Sequence, residues 1–500
     1  MALVMGPVLG FRGARSGRWE VGALVVIDGE EPPRLDWRRE NGGGTATPLR
    51  LGGHRGRSVW RYDLAFDPWN EESAVLYEVG GESFAFTVPA AGRIPRMAYT
   101  SCNGFSSLKL LKSVADKNAL WKVMAQQHAA APFHLLLMGG DQVYADEMWE
   151  TLEPLKRWSE LPASKANRAP FTAAMAAKVR DFYFDLYPRR WSQPEIRAML
   201  ASVPTLMMWD DHDIFDGWGS YPPERQACPV FQGIFALGRE SFRLFQRQED
   251  GTATPPATLF PGGAFTVGHS LGGLALLSLD MRSERTVDQV LSPAHWEAVY
   301  SWIDGLTGAA RCRHLLVMSS IPVVHPSFGL VESCLGGLPG QQEIEDDLRD
   351  HWSSRRHRAE RLRLIHRLLA FGEREGSRVT IVSGDVHVGA LGLLQSTRSP
   401  ADGNAMVINQ LTSSGIVHPA PPGLMLFALD HLFKKTEEVD RGITAEMALF
   451  PGTNRCYLGA RNWLSLVPDA PPYSESGRLW ASWIVEGERD PYTKVIHPVG

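Results

Sequence analysis

A chain of 500 residues is longer than one hydrophobic core normally fills, so two or three structural units are expected. With 44% apolar and 21% charged residues it belongs neither to the disordered nor to the fibrous classes. A net charge of −5 argues against a nucleic-acid binder with a general basic face.

Residues 1–92 read as a small β-sandwich. Trp19–Ile27, Ser58–Phe66, Ala74–Val79 and Ser83–Val88 are short runs rich in Val, Tyr, Phe and Trp, separated by Gly, Pro, Asp and Asn. Glu30–Gly53, with Pro32, Pro33 and Gly42–Gly44, reads as a mobile connection, and Pro89–Pro95 as a linker. From Arg96 the pattern changes. Met97–Thr100 is strand-like and ends at Ser101-Cys102, a helical stretch covers Leu108–Gln127, and the apolar run Phe133–Met138 leads into GGDQVYADE (Gly139–Glu147). Residues 149–202 are helix-rich with a polar break at Ser159–Pro170. The run Val203–Met208 precedes an acidic stretch, and helical periodicity returns in Phe235–Gln248. Ala264–Val267 and Leu274–Leu279 read as adjacent strands, followed by a helix at Pro293–Leu306 and a strand at His314–Ser319. A Gly- and acid-rich excursion, Phe328–Asp347, enters a long amphipathic helix, Asp347–Glu373. Arg378–Val382 ends in SGDVHVGAL (Ser383–Leu391), and Met406–Leu411 ends in Thr412-Ser413-Ser414-Gly415. Residues 416–500 read as an extension packing on the core, with a helix at Leu424–Val439 and strands at Asn462–Leu466 and Leu479–Glu486.

Apolar runs alternating with helices over 96–415 indicate an α/β domain with buried strands. The polar clusters fall just past the carboxyl ends of those runs, where open α/β sheets build their sites. Cys102, Asp141, Asp211, Arg282 and Asp385 are therefore expected to converge on one edge.

Cys102, Cys228, Cys312, Cys334 and Cys456 are odd in number and scattered, with no CxxC pair, which points away from a zinc ribbon or a disulfide scaffold. Free thiols suit a reducing compartment. The first residues carry no basic region ahead of an apolar core, and Gly6, Pro7 and Gly10 interrupt them, a poor secretory signal. No apolar run is long enough to span a bilayer, so a cytoplasmic location is expected. Arg355, Arg356, Arg358, Arg361, Arg363 and Arg367 lie on the predicted 347–373 helix. They read as a solvated face, with Leu348, Trp352, Leu362, Ile365 and Leu369 turned inward, rather than as a nucleic-acid surface.

The acidic stretch is Met207–Gly219, MMWDDHDIFDGWG, which crowds Asp210, Asp211, His212, Asp213 and Asp216 into seven positions. Carboxylates so close repel one another unless protons or cations neutralise them, and with imidazole they form a ligand set for a hard cation. A solvated acidic loop would not carry Trp209, Ile214, Phe215 and Trp218. Gly139-Gly140-Asp141 puts a carboxylate on a tight turn whose glycines allow close approach. Tyr144 shares a face with Asp141 if that turn is helical. A phenolate ligand asks for an ion as Lewis-acidic as Fe(III), and Cys102 would be a soft anionic ligand of the same ion. The plainer readings are a packed aromatic for Tyr144 and a small buried hydrophobe for Cys102. Asp385 and His387, flanked by Gly384 and Gly389, can reach around one ion. The Arg282 fork suits a phosphate oxygen, or a salt bridge with Asp280 or Glu284.

Taken together, Ser101-Cys102, GGDQVYADE, MWDDHDIFDGWG, LDMRSER (Leu279–Arg285) and VSGDVHVGAL resemble the PhoD-like alkaline phosphatases, a branch of the calcineurin-like metallophosphoesterases, over about residues 96–415. The resemblance implies a four-layer αββα core, two packed sheets with helices outside, a metal cluster at the strand ends and an N-terminal β-sandwich. It implies that the superfamily's GDxxD reads GDxxY here, with Asp141 bridging two metals and Tyr144 on iron. The GNH(D/E) motif reads Asp210-Asp211-His212-Asp213, with Asp211 in place of asparagine as a metal ligand and His212 as general acid or phosphate contact. The GHxH motif reads Gly384-Asp385-Val386-His387, with Asp385 and His387 as ligands. The superfamily's first motif, DxH, is absent and Cys102 stands in its place. These departures match a branch similar to Fe(III)/calcium enzymes, and carboxylates suit calcium. Asp210 and Asp216 rank below these as ligands.

The implied activity is hydrolysis of a phosphate monoester by a metal-bound hydroxide attacking in line. His212 would protonate the leaving alkoxide and Arg282 would hold a phosphate oxygen. Two other readings stand beside it: a phosphodiesterase acting on a lipid or polymer diester, and a binding protein that the metals only stabilise. The expected partner is a small-molecule or lipid phosphoester, with no nucleic acid and no membrane span. The sequence does not give the oligomeric state.

Overall fold

The computed structural model describes residues 3–499 except 16, 68, 253, 256, 326–351, 353–355, 399–405, 432–434 and 471–472. Alternation along its short buried strands decides the layering. In the strand Leu135–Gly139, Leu135 and Leu137 point to one side, into a cluster with Tyr99, Leu206 and Met208 and with Leu276, Leu316, Val382 and Leu411 of a second sheet. Leu136 and Met138 point to the other side, onto Trp121, Val179 and Ile196 of the helices Ala119–Ala130, Ala173–Trp191 and Pro194–Ser202. Across the molecule, Ala275, Leu277, Leu315, Val317 and Ile381 face Trp296, Val299, Leu364 and Leu368 of the helices Pro293–Asp304 and Arg358–Glu375. Two sheets thus pack face to face with helices outside, the expected αββα order.

In the first sheet Met97–Thr100, Leu135–Gly139 and Thr205–Met208 run parallel, with Leu136 opposite both Ala98 and Thr205. In the second, Leu274–Ser278, His314–Met318, Arg378–Ser383 and Val407–Thr412 run parallel in that order. The C-terminal residues extend the first sheet at one end, where Asn462–Pro468 pairs with Met97–Thr100 and is followed by Leu479–Val485 and Tyr492–Ile496. The N-terminal residues extend it at the other. Leu3–Arg15 lies parallel to Thr205–Met208, and the sheet runs on through Arg18–Asp28, Arg57–Phe66 and Pro48–His54. A separate sheet, Gly42–Ala46, Leu35–Arg39, Ser73–Val79 and Glu82–Val88, belongs with this extension: its Leu35, Val75 and Tyr77 share one cluster with Val21, Val25 and Tyr62. The two N-terminal layers are therefore continuous with the inner core.

Several elements differ from the sequence reading. Glu30–Gly53 is paired rather than a mobile connection: Gly42–Gly44 oppose Arg39–Trp37, and the Trp37 ring lies against Gly44. The 108–127 helix is broken into Leu108–Ser113 and Ala119–Ala130. The helix after the second sheet is Gly423–His431, because Thr436–Asp440 is claimed by antiparallel pairing with Ile443–Ala448. The helix Pro229–Ser241 passes into a π-helical turn, Phe242–Gln246. Residues 328–347, and most of the predicted start of the following helix, lie outside the described residues, as does Cys334. Arg361, expected on a solvated face, is buried against Glu437 and the Val323 carbonyl, while Arg356 and Arg367 pair with Asp288 and Asp304. Cys102, Cys228, Cys312 and Cys456 are unpaired. Among the described residues, no helix is long and apolar enough to cross a membrane.

Candidate metal centre at the strand ends

The parallel strands of both sheets end on one edge, and all but His314–Met318 deliver a chemically active residue just past the last ladder bond. Cys102 follows Met97–Thr100, Asp141 follows Leu135–Gly139, and Asp210–His212 follow Thr205–Met208. From the second sheet come Arg282, Asp385 with His387, and Ser414. Cys102, Asp141, Asp385 and His387 hold left-handed backbone, with φ of 54°, 55°, 68° and 53°. Such a conformation costs about 1–3 kcal/mol in a residue with a Cβ and persists only where the surroundings impose it. Two glycines allow the loops to meet. Gly140 has φ of 109°, and a Cβ there would lie 2.7 Å from Asp210 Cβ; one on Gly384 would lie 2.3 Å from Ser101 Oγ. The Asp141–Glu147 segment is irregular, so Asp141 and Tyr144 are brought together by the loop and not by a helical turn.

Asp141, Asp211 and His212 place ligand atoms within 4.8 Å of one another, and so do Asp210, Asp211 and Asp385. The two groups share Asp211. Asp141 Oδ1 is buried and has no hydrogen-bond donor among the described residues. Its burial, with the nearby carboxylates of Asp210, Asp211 and Asp213, pushes the Asp141 carboxyl well above the usual range despite His212. Arg282 is fully buried: Nε donates to Asp210 Oδ1, Nη1 donates to the Trp218 carbonyl at 2.9 Å, and Nη2 lies 3.3 Å from Asp211 Oδ1. Its side chain pairs with Asp210 and Asp211, while the Asp280 carboxylate accepts from the Arg282 backbone N–H, the Trp209 indole and the Phe265 amide. Asp210, ranked low from sequence, sits inside the cluster.

Cys102 Sγ lies 3.4 Å from Asp141 Oδ2 and 3.1 Å from Ser414 Oγ. Tyr144 Oη lies 3.5 Å from His387 Nε2, and its ring stacks on His212 with centroids 4.3 Å apart. Burial, reinforced by Asp141, pushes both the Cys102 thiol and the Tyr144 phenol up. A cation close to a thiol or phenol favours its anionic form and opposes such a shift.

His212 Nδ1 is 2.7 Å from Asp146 Oδ2. Burial opposes a charged ring, but Asp146, Asp211 and Asp141 together hold the His212 pKa well above the imidazole range. Asp213 turns away from the cluster: it accepts backbone N–H bonds from Asp141, Gln142, Val143 and Asp210, and one from the Gln246 amide. Burial raises it to about 7 against those bonds. Asp216 gives its backbone N–H to Asp146 Oδ1 and enters neither ligand group.

Four residues at this edge were not singled out from sequence. His418 stacks on His387 with centroids 3.7 Å apart, donates from Nδ1 to the Pro419 carbonyl at 2.9 Å, and is lowered to about 3 by burial. Asp146, Ser414 and Gln246 are the others. Asp146 lies within GGDQVYADE, so a carboxylate near Tyr144 was the available signal; nothing local marks Gln246 or His418.

A family described as PhoD related phosphatase matches residues 69–339 and 328–439. An uncharacterized protein of Saccharomyces cerevisiae, YGR266W, is 27% identical over 503 residues, covering 82% of this chain and 71% of its own length. A solved structure of PhoD superposes with a TM-score of 0.59 at 13% identity, covering 99% of this chain and 90% of that one. That last likeness is one of fold.

Proposed function

The chain belongs to the PhoD related phosphatases, and on that premise we propose that it is a metal-dependent phosphoesterase of the alkaline phosphatase type, acting on phosphate monoesters. One observation carries the reading: carboxylates from both sheets meet in two ligand groups that share Asp211. The undonated Asp141 oxygen is an atom whose burial is costly until a cation compensates it, and the buried Cys102 thiol lies beside the same carboxylate. The donor set fits such ions. Carboxylates of Asp141, Asp211 and Asp385 suit calcium, and Cys102, Tyr144 and His387, with Asp141 shared, suit Fe(III).

Bound cations supply positive charge for a phosphoryl group and acidify water in the site. The chain's own groups do the rest. Asp146 anchors His212 through Nδ1, which leaves Nε2 to give its proton to the leaving alkoxide. Arg282 acts through Asp210 and Asp211, neutralising and orienting them, since its buried guanidinium is committed there. Tyr144 and His418 hold the His212 and His387 rings flat by stacking.

Elemental analysis and turnover test this together. Wild-type protein is expected to carry iron and calcium, with iron lost from Cys102→Ala and Tyr144→Phe. Zinc or manganese insensitive to both changes removes the ligand assignment. Faster hydrolysis of p-nitrophenyl phosphate than of bis(p-nitrophenyl) phosphate supports a monoesterase, and the reverse order makes it a diesterase. No hydrolysis of either by metal-loaded protein overturns the enzyme.

A further inference from the structure

We propose that Asp213 and Gln246 form a brace that fixes the spacing of the two loops bearing the candidate ligands, and that the π-helical turn exists to deliver Gln246 to it. The proposal rests on the reading of Asp141 and Asp211 as metal ligands. Both brace residues are positioning residues, acting through their neighbours.

Each Asp213 oxygen spans both sides of the junction or reaches beyond it. Oδ2 accepts from Asp141 N and Asp210 N, both at 2.9 Å, and so ties the Gly139–Glu147 loop to the Asp210–Asp213 loop. Oδ1 accepts from Gln142 N at 3.2 Å, Val143 N at 3.3 Å and Gln246 Nε2 at 2.8 Å. The backbone amides curl around the carboxylate as an anion nest filled by the chain itself. Losing it would orphan buried N–H groups in a loop that also carries the left-handed Asp141.

Gln246 is the one side-chain donor to this carboxylate among the described residues, and Nε2 also donates to Tyr187 Oη at 3.1 Å, while Oε1 is buried with no donor among the described residues. Gln246 is buried, 33 positions along the chain from Asp213. The helix Pro229–Ser241 changes to π winding over Phe242–Gln246, with Arg247 N returning to the Phe242 carbonyl. A π-turn lengthens the helical hydrogen-bond span from four residues to five, is rare, and occurs frequently at functional sites. Here the extra residue swings Gln246 inward against a carboxylate that would otherwise face Asp141 and Asp210 with backbone donors alone.

The test uses Gln246→Glu and Gln246→Ala, with Asp213→Asn beside them. Glutamate sets a carboxyl against a carboxylate, and alanine removes the donor; either keeps the question open to refutation should Asp213→Asn fail to fold. Amide hydrogen exchange at 141–143 and 210 is read in metal-free protein, and the Ca2+ dissociation constant by calorimetry. For Gln246→Glu, exchange at those amides is expected to quicken by about tenfold or more while Arg378–Ser383 stays protected, and Ca2+ to bind roughly 10–100-fold more weakly, as for other outer contacts of metal sites. Wild-type exchange in both Gln246 variants overturns the brace. Faster exchange with unchanged Ca2+ affinity overturns its role in spacing ligands. Wild-type protein that binds no Ca2+ overturns the metal assignment instead, and exchange alone then decides the brace.

Discussion

As a proposed ligand, Asp141 is expected to behave differently from a residue kept for stability. Its Oδ1 lacks a donor among the described residues, its backbone is left-handed, and the carboxylates of Asp210, Asp211 and Asp213 press on it. An uncompensated buried charge destabilises a fold, so an amide would serve the metal-free protein better. Metal-free Asp141→Asn is expected to melt at or above the wild-type temperature, while metal-dependent turnover drops by about a hundredfold or more. Melting several degrees lower would mark Asp141 as structural. Asp146→Asn asks a different question. If Asp146 keeps His212 a proton donor, hydrolysis of an alkyl phosphate should slow by about 10²-fold or more, and that of p-nitrophenyl phosphate much less, because its leaving group needs no proton. Equal slowing of both would take the acid role from His212. Asp141, Asp211, Asp385 and His387 were legible because each follows an apolar run and lies among glycines or further acids. His418 and Gln246 were not, since their partners, His387 and Asp213, are distant in the chain and only tertiary packing joins them.

Elements were legible where periodicity matched burial on both faces. The parallel strands read as continuous apolar runs because helices cover one face and the second sheet the other. Edge elements were not. Thr436–Asp440 carries Glu437 and Glu438 and is a strand only because Ile443–Ala448 pairs with it. The strand His314–Met318 begins with a residue whose role is likewise set from outside. His314 Nε2 donates to the Gly477 carbonyl at 2.5 Å, and Nδ1 is buried with no hydrogen-bond partner among the described residues. Burial, with Arg378 and Arg313 nearby and against the Gly477 carbonyl, lowers this ring to about 4. An unfolded ring takes its proton near pH 6.5 and the folded one only near 4, so the unfolded state binds more protons between them and stability falls as pH drops through that window. From pH 7 to pH 3.5 wild type should lose about 3 kcal/mol more than His314→Gln does, from denaturant titrations at each pH. Parallel losses would show that the ring is protonated in the folded state.

At the scale of the molecule, the first ninety or so residues read as a unit of their own because their runs are short, β-rich and followed by prolines. Their packing is another matter. Leu3–Arg15 lies beside Thr205–Met208, the strand that delivers Asp210 and Asp211, and Thr205 Oγ1 donates to the Leu9 carbonyl at 2.8 Å. Gln248, just past the π-turn, donates to the Val8 carbonyl at 2.9 Å, and Arg197 to that of Gly6 at 2.9 Å. Leu9 and Phe11 fill the same inner cluster as Leu206 and Met208, each such side chain contributing about 1.5–3 kcal/mol. Removing residues 1–92 would leave the Thr205–Met208 edge unpaired and the inner cluster open, a template for aggregation next to the candidate metal centre. The fragment 93–500 is therefore expected to be insoluble or to lack a cooperative melting transition. A monodisperse fragment with wild-type turnover would show that the N-terminal layers only decorate an independent catalytic core, as the linker-like Pro89–Pro95 suggests. Loss of folding would instead mean that the strand carrying Asp210 and Asp211 needs a neighbour from the opposite end of the chain, so that the candidate site depends on the whole sheet rather than on residues 96–415 alone.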